Sequence, residues 1–140
     1  MRLRVVAVGK VREPHLRRAV DEYLDRTRKY LPTDEVEVAD ARAVARALPD
    51  RFAVVALDPA GQPLGSREFA AWIGERMNRG DKGIAFVIGG ADGLPRDLVE
   101  RATLRLSMSA MTLPHRLARL LLAEQLYRAM TILRGEPYDR

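Results

Sequence analysis

The sequence FVIGGADGLPRDLVERATLRLSMSAMTLPHRLARLLLAEQLY, residues 86–127, contains most of the structural information in this chain. The apolar run at 84–88 predicts a buried strand, and the glycines after it predict a sharp turn. Pro95 then begins a short helix, a second apolar segment leads into a loop at 107–114, and a long apolar helix follows. Two loops therefore face one end of a sheet. That arrangement suits a small ligand held mainly by main-chain groups.

Strands and helices alternate in the rest of the chain as well. Apolar runs predict strands at residues 3–8, 35–38 and 52–57. Amphipathic stretches predict helices at 14–28, 41–48 and 66–78, the last of them capped by Ser66. The segments AVVAL and IAFVI are apolar without alternation, which indicates a sheet covered on both faces. We therefore expect one α/β domain over residues 1–140, with a mostly parallel sheet flanked by helices.

Composition limits the classes of function. The net charge is +5, with 21 arginines against three lysines. Because guanidinium binds phosphate with paired hydrogen bonds, a polyanionic partner such as nucleic acid is one explanation, and a compositional bias toward arginine is the other. No cysteine is present, which excludes disulfide and thiolate chemistry. No apolar run approaches a signal peptide or the ~18 residues of a membrane span, so we expect a cytoplasmic protein.

The predicted helix at residues 114–133 differs from the other helices because apolar side chains surround most of it. Such a helix must be buried on more than one side. Its own sheet and a second copy of the chain would achieve this, and so would a central position in a monomer; we expect a homodimer. Glu124 on this helix needs a hydrogen-bond partner.

Several familiar motifs are absent. The first strand is followed by AVGKVREP, which lacks the G-x-G-x-x-G of a dinucleotide site, and no Walker pattern occurs. A hydrolase or nucleotide-binding protein built on the GGADG turn would therefore lack a nucleophile or a P-loop. His15 and His115 are the only histidines and lie far apart, so we expect no metal site, and we expect His15 on the surface. The GGADG segment is either a ligand loop or a simple tight turn.

The segments that carry a family resemblance are ALDPAGQPLGSREFA, FVIGGADGLP, LSMSAMTLPHRLARLLLAEQLYRA and PYDR. Through them the chain resembles the ribosomal RNA large subunit methyltransferase H family of SPOUT methyltransferases. The resemblance spans nearly the whole chain. It implies a SPOUT-type sheet with a C-terminal trefoil knot, a homodimer, and S-adenosylmethionine as co-substrate without a metal. The implied reaction is methylation of N3 of a pseudouridine in 23S rRNA, on assembled 70S ribosomes. The alternative is a ribosome-binding SPOUT-fold factor without turnover.

The resemblance also assigns site residues. The methyl-donor pocket falls on three loops, at Leu57, Gly89, Gly90, Met108, Ser109, Ala110, Met111, Thr112 and Leu113. The positions matching the family's contacts to the target base are His115, Arg119, Tyr138 and Arg140. Asp139 departs from the family pattern, since relatives commonly have histidine there, and this change makes the non-enzymatic alternative conceivable.

Overall fold

In the computed structural model, which describes residues 1–139, strands and helices alternate as the apolar pattern predicts. The strands are β1 (Arg2–Val8), β2 (Thr33–Val38), β3 (Phe52–Pro63), β4 (Gly83–Ile88) and β5 (Leu104–Ser107). The helices are α1 (Pro14–Arg28), α2 (Val44–Ala47), α3 (Ser66–Asn78), α4 (Arg96–Arg101) and α5 (His115–Arg134), and a 3-10 turn at Ala41–Ala43 precedes α2.

The five strands form one sheet in the order β2-β1-β4-β3-β5, and every pairing is parallel. Helices α1, α3 and α5 cover one face around a large apolar core. The other face carries a smaller cluster of Val6, Val44, Val87 and Leu98, which α2 and α4 contribute to. Every residue of β4 is buried, as expected for a central strand of a sheet covered on both sides. The predicted α/β fold with a parallel sheet is confirmed.

Strand β3 is longer than the apolar run indicated. Leu57 and Gln62 both pair with Leu106 of β5, so residues 58–61 bulge out of the strand before pairing resumes. The chain passes very close to β5 at this bulge, because a Cβ on Gly61 would lie 2.7 Å from the carbonyl carbon of Arg105. Asp58 and Pro59 lie in this bulge and make no pairing with β5.

The prediction that Ser66 caps α3 is wrong. Gly65 occupies the cap position, and its N–H donates to the carboxylate of Glu68 over 2.9 Å. Ser66 begins the helix instead, and its hydroxyl donates to the side-chain oxygen of Gln125 on α5 over 2.8 Å. The hydroxyl of Ser66 therefore bonds to a distant helix, whereas local capping preferences predict a bond to the first N–H groups of α3.

Helix α5 packs against α1, α3 and β4, and it ends at Gly135, whose φ of +68° favours glycine. Its buried side includes Leu122, Leu126 and Met130. Leu117 and Leu121 remain 39% and 41% exposed, on adjacent turns of one face. Within residues 1–139, no helix is both long enough and apolar enough to span a bilayer.

Candidate functional site

A cavity of about 480 Å³ opens beside the bulge of β3 and at the carboxyl ends of β4 and β5. Its walls are the bulge after Leu57, the glycine-rich loop after β4, and the loop at 107–114. Parallel α/β sheets commonly bind ligands at this edge, and the volume lies within the range of small-molecule sites. The fold therefore brings together three loops that are far apart in sequence.

Most of the residues predicted to hold the methyl donor line this cavity, namely Leu57, Gly89, Gly90, Met108, Ser109, Met111 and Leu113. Ala110 and Thr112 belong to the same loop but are not part of the lining, and both are exposed. The assignment of Ala110 and Thr112 to the methyl-donor site stays a prediction, and so does that of the lining residues. Asp58 and Ala118 line the cavity and were missed by sequence reasoning, although Asp58 follows Leu57 directly.

The glycine-rich loop is both a tight turn and a wall of the cavity. The N–H of Gly93 donates to the carbonyl of Gly90 over 3.0 Å, and Gly93 has a φ of +75°. Gly89 has no space for a side chain, because a Cβ there would lie 2.6 Å from the carbonyl carbon of Gly93. The two interpretations of this segment are therefore compatible, and the backbone itself is the surface that a ligand would meet.

His115 begins α5 and lies in the wall of the cavity. Its Nδ1 is 3.1 Å from the carbonyl oxygen of Gly89, and its Nε2 is 3.1 Å from Nη1 of Arg119. A carbonyl oxygen can only accept a hydrogen bond and a guanidinium can only donate one. Those partners fit a neutral imidazole with its proton on Nδ1, donating to Gly89 and accepting from Arg119.

Arg119, which the resemblance places at the target base, is fully buried beneath His115. It donates to the carboxylate of Glu35 and, over 2.7 Å, to that of Glu37. Arg17 of α1 pairs with the same two carboxylates at 2.5 and 3.2 Å. Sequence reasoning missed both glutamates. The signal was present in the EVE of β2, since alternate residues of a strand point to one face of a covered sheet.

The tail folds back onto α5. The hydroxyl of Tyr138 donates to Glu124 over 2.6 Å, and Arg128 pairs with Glu124 at 2.8 Å and with Asp139 at 2.9 Å. Arg67 of α3 completes the cluster with Asp139 at 3.2 Å. The expectation that Glu124 needs a partner is confirmed. Asp139 fits between two guanidinium groups here, a position that favours an anion.

Tyr138 is a hydrogen-bond donor in this arrangement. Burial raises the pKa of its phenol, and the hydrogen bond to the Glu124 carboxylate raises that pKa further, so the group is neutral at pH 7. Glu124 and His115 are nine residues apart on α5, or about 13 Å along the helix axis. The structure therefore does not bring Tyr138 into the lining of the cavity that His115 faces. The fourth predicted contact to the base, Arg140, lies outside the described residues.

Comparison with known proteins identifies the family. A family model described as "Predicted SPOUT methyltransferase" matches residues 1–139. The chain belongs to the SPOUT methyltransferases. Proteins named "Ribosomal RNA large subunit methyltransferase H" are close relatives within them. The one from Sorangium cellulosum is 51% identical, with 99% of each chain covered, and the one from Carboxydothermus hydrogenoformans is 40% identical over the full length of both. The resemblance to this family of methyltransferases is confirmed.

Solved structures support the same fold. A probable methyltransferase from Bordetella pertussis Tohama I superposes with a TM-score of 0.62 at 15% identity, covering 91% of this chain and 95% of that one. The TrmH/SpoU tRNA modifying enzyme of A. aeolicus gives a TM-score of 0.51 at 16% identity, covering 95% of this chain and 77% of that one. At these identities the likeness is one of architecture, and it agrees with the parallel sheet described above.

The charges around the cavity of this SPOUT methyltransferase suit a cationic ligand. Of the residues in the described chain, no arginine or lysine lines the cavity, whereas one acidic residue, Asp58, does. Leucine and methionine side chains supply apolar walls. A sulfonium donor carries a positive charge beside an apolar adenine ring, so the residues present fit S-adenosylmethionine. No group of three or more His, Cys, Asp or Glu side chains that could hold a metal ion occurs within residues 1–139.

The buried network predicts a pH dependence. Burial raises the pKa of Glu37, but hydrogen bonds from Arg119 and from the N–H of Val11 outweigh that effect, so its pKa lies below the ordinary 4.5. A carboxylate with a lowered folded-state pKa stabilises the fold above its unfolded pKa and loses that contribution as pH falls through the folded value. We expect Glu37→Gln to be less stable than wild type at pH 7, with a shallower loss of stability from pH 5 downward.

Urea unfolding at intervals between pH 7 and pH 3.5 measures this difference. Glu22→Gln removes an exposed carboxylate that pairs with Arg26 on α1, and it serves as the control. Parallel pH profiles for wild type and Glu37→Gln would show that Glu37 has no part in the acid sensitivity.

Proposed function

We propose that this chain is an S-adenosylmethionine-dependent methyltransferase that methylates N3 of a pseudouridine in 23S rRNA, on assembled 70S ribosomes in the cytoplasm. Support comes from relatives up to 51% identical that are named for large-subunit rRNA methylation. The structural observation that carries the proposal is the cavity between the bulge of β3 and the ends of β4 and β5, with main-chain loops and apolar side chains as its walls.

The donor would supply an electrophilic methyl group on a sulfonium. The residues of the chain would then bind and orient it. Main-chain groups of Gly89, Gly90 and the 107–113 loop would hydrogen-bond the adenine, Leu57 and Met108 would supply apolar contacts, and Asp58 would favour the positive charge. Methylation at N3 requires loss of the N3 proton, which leaves negative charge on the base. Among the predicted base contacts, the guanidinium of Arg140 can stabilise that charge, whereas the hydroxyl of Tyr138 donates to Glu124 in this structure.

The architecture and assembly of the family extend the proposal. We expect the carboxyl-terminal segment to be threaded as a trefoil knot. We also expect a homodimer through the exposed face of α5, where Leu117 and Leu121 are adjacent. Leu121 also borders a smaller cavity with Leu64, Phe69 and Met108, so apolar surface continues beyond the helix. A second copy of the chain would cover that surface, which lies next to the 107–114 loop of the donor site.

Introducing charge on this face should separate the protomers. We expect the double variant Leu117→Glu, Leu121→Glu to sediment as a monomer where wild type sediments as a dimer, because two carboxylates would be buried without partners. Leu133→Glu is the matched control, since Leu133 is 40% exposed on the same helix but lies on a different face. A double variant that still sediments as a dimer would place the interface elsewhere.

Methyl transfer from radiolabelled S-adenosylmethionine to 70S ribosomes that lack the modification tests the function. The labelled nucleotide is then mapped in 23S rRNA. Label on N3 of one pseudouridine is the expected result. Label on another nucleotide would contradict the substrate. Donor binding and ribosome binding without any transfer would contradict the enzyme and leave the ribosome-binding factor as the explanation.

A further inference from the structure

Arg119 has no hydrogen-bond donor to offer a substrate from its guanidinium ends. Nη1 contacts Nε2 of His115 at 3.1 Å and the carbonyl oxygen of Gly9 at 3.3 Å, and Nη2 contacts both Glu35 and Glu37. Its Nε is buried and has no partner within the described residues. The side chain is completely inaccessible to solvent. An RNA base could reach this guanidinium only if the whole network opened.

The network is balanced in charge, which explains how an arginine can be buried here. Two carboxylates, Glu35 and Glu37, face two guanidiniums, Arg119 and Arg17. The N–H of Val11 gives Glu37 one more hydrogen bond, at 3.2 Å. Buried charges persist when they are paired and hydrogen-bonded, and both terminal nitrogens of Arg119 have such partners. Arg119 belongs to α5, but its hydrogen-bond partners include two carboxylates of β2 and the carbonyl of Gly9, which directly follows β1.

The same network reaches the donor cavity through one side chain. Arg119 donates to Nε2 of His115, and the opposite ring nitrogen of His115 lies against the carbonyl of Gly89. Both His115 and Gly89 line the cavity, whereas Arg119, Glu35 and Glu37 do not. Without the carboxylates of Glu35 and Glu37, the guanidinium of Arg119 would no longer be fixed against Nε2 of His115. The imidazole ring of His115 could then flip or change tautomer.

We infer that Glu35 and Glu37, acting through Arg119, are positioning residues that hold His115 as its Nδ1–H tautomer, with that proton on the carbonyl of Gly89. Arg119 itself is then a positioning residue and does not contact the target base. This inference rests on the proposed function for its catalytic consequence. The state of the imidazole can be measured whether or not the chain transfers a methyl group.

Nitrogen-15 NMR of the imidazole ring tests the inference, because the two tautomers give distinct patterns of long-range proton–nitrogen correlations. The chain has two histidines, so an exposed-site change, His15→Gln, leaves His115 as the only signal. In this background at pH 7.5, we expect a protonated Nδ1 and an unprotonated Nε2. A protonated Nε2, in either a neutral or a cationic ring, would overturn the inference without any further variant.

The double variant Glu35→Gln, Glu37→Gln should then show a mixture of tautomers. Asp34→Asn is the matched control: Asp34 is on the opposite face of β2, where it accepts two hydrogen bonds from Arg4, at 3.0 and 2.8 Å. The control should retain the wild-type pattern. If the double variant does not fold, Arg119→Lys replaces it, since one ammonium cannot reproduce the forked contacts. A wild-type pattern in the folded variant would overturn the positioning role.

Turnover provides the second measurement. We expect the double variant to lower kcat for ribosome methylation about 10- to 100-fold, since small misplacements of site groups have effects of that size. The Kd for S-adenosylhomocysteine should change much less, because neither glutamate contacts the cavity. A wild-type protein that transfers no methyl group would refute the proposed function, while the NMR result would still decide the role of the network. An unchanged kcat together with mixed tautomers would show that the position of His115 does not affect the reaction.

Discussion

Arg119→Met is expected to lower the free energy of unfolding by about 3 kcal/mol, near the lower limit for breaking a buried ion pair. The change removes the guanidinium that both Glu35 and Glu37 contact, and their side chains are only 11% and 25% exposed. Arg17 stays within reach of both carboxylates, and this remaining pairing places the effect at the lower limit. Most of this loss in stability comes from leaving buried carboxylates without a compensating charge. The lost attraction of the original ion pair accounts for a smaller part.

Urea unfolding at one fixed protein concentration measures the effect, since a dimer would make stability depend on concentration. Arg101→Met is the control: Arg101 and its partner Asp97 are 78% and 75% exposed, and such pairs contribute about 1 kcal/mol or less. Adding Glu35→Gln and Glu37→Gln to Arg119→Met should recover part of the stability, because both uncompensated carboxylates are then removed and Arg17 keeps its pair with Asp21. If Arg119→Met costs no more than the control, the buried network does not stabilise the fold.

Gly89→Ala is expected to weaken binding of S-adenosylhomocysteine by about 10- to 100-fold, since overpacking costs about 1–3 kcal/mol and each ~1.4 kcal/mol is tenfold in Kd. The added methyl group would lie 2.6 Å from the carbonyl carbon of Gly93 and 2.9 Å from both its oxygen and the nitrogen of Leu94. All three atoms belong to the main chain, so no side-chain rotation can relieve the overlap. The loop must open, and the carbonyl that receives the Nδ1 proton of His115 moves with it.

Two other glycines provide graded controls for isothermal titration with S-adenosylhomocysteine. A Cβ on Gly90 would meet Cγ1 of Val8 at 3.2 Å, a side-chain atom that can move by a few tenths of an ångström, so Gly90→Ala should lose less affinity. Gly65→Ala adds only an ordinary contact, 3.4 Å from Oε1 of Glu68, and Gly65 is not part of the lining of the donor cavity. If Gly89→Ala binds within threefold of wild type, the glycine-rich loop is not part of the donor site.

The short-range pattern of the chain was sufficient to predict most of the architecture. Uninterrupted apolar runs such as IAFVI predicted strands buried on both faces, and β4 is buried at every residue. Proline and glycine at the ends of the segments predicted where helices begin and stop. The three loops that form the cavity were identified by resemblance to a family. Their meeting at one edge also follows from the parallel order of the strands, because parallel strands end on the same side.

Contacts between distant segments decided the rest. Arg119 was assigned to the target base because of its position in a motif, yet its carboxylate partners lie 82 and 84 residues away, on β2. The bulge after Leu57 exists because β3 resumes its pairing with β5, and the hydroxyl of Ser66 is taken by Gln125 on another helix. Periodicity and capping preferences reflect interactions within a few residues. Charge pairing and strand register depend on which segments meet in space, so only the tertiary structure assigns Arg119 to a buried network.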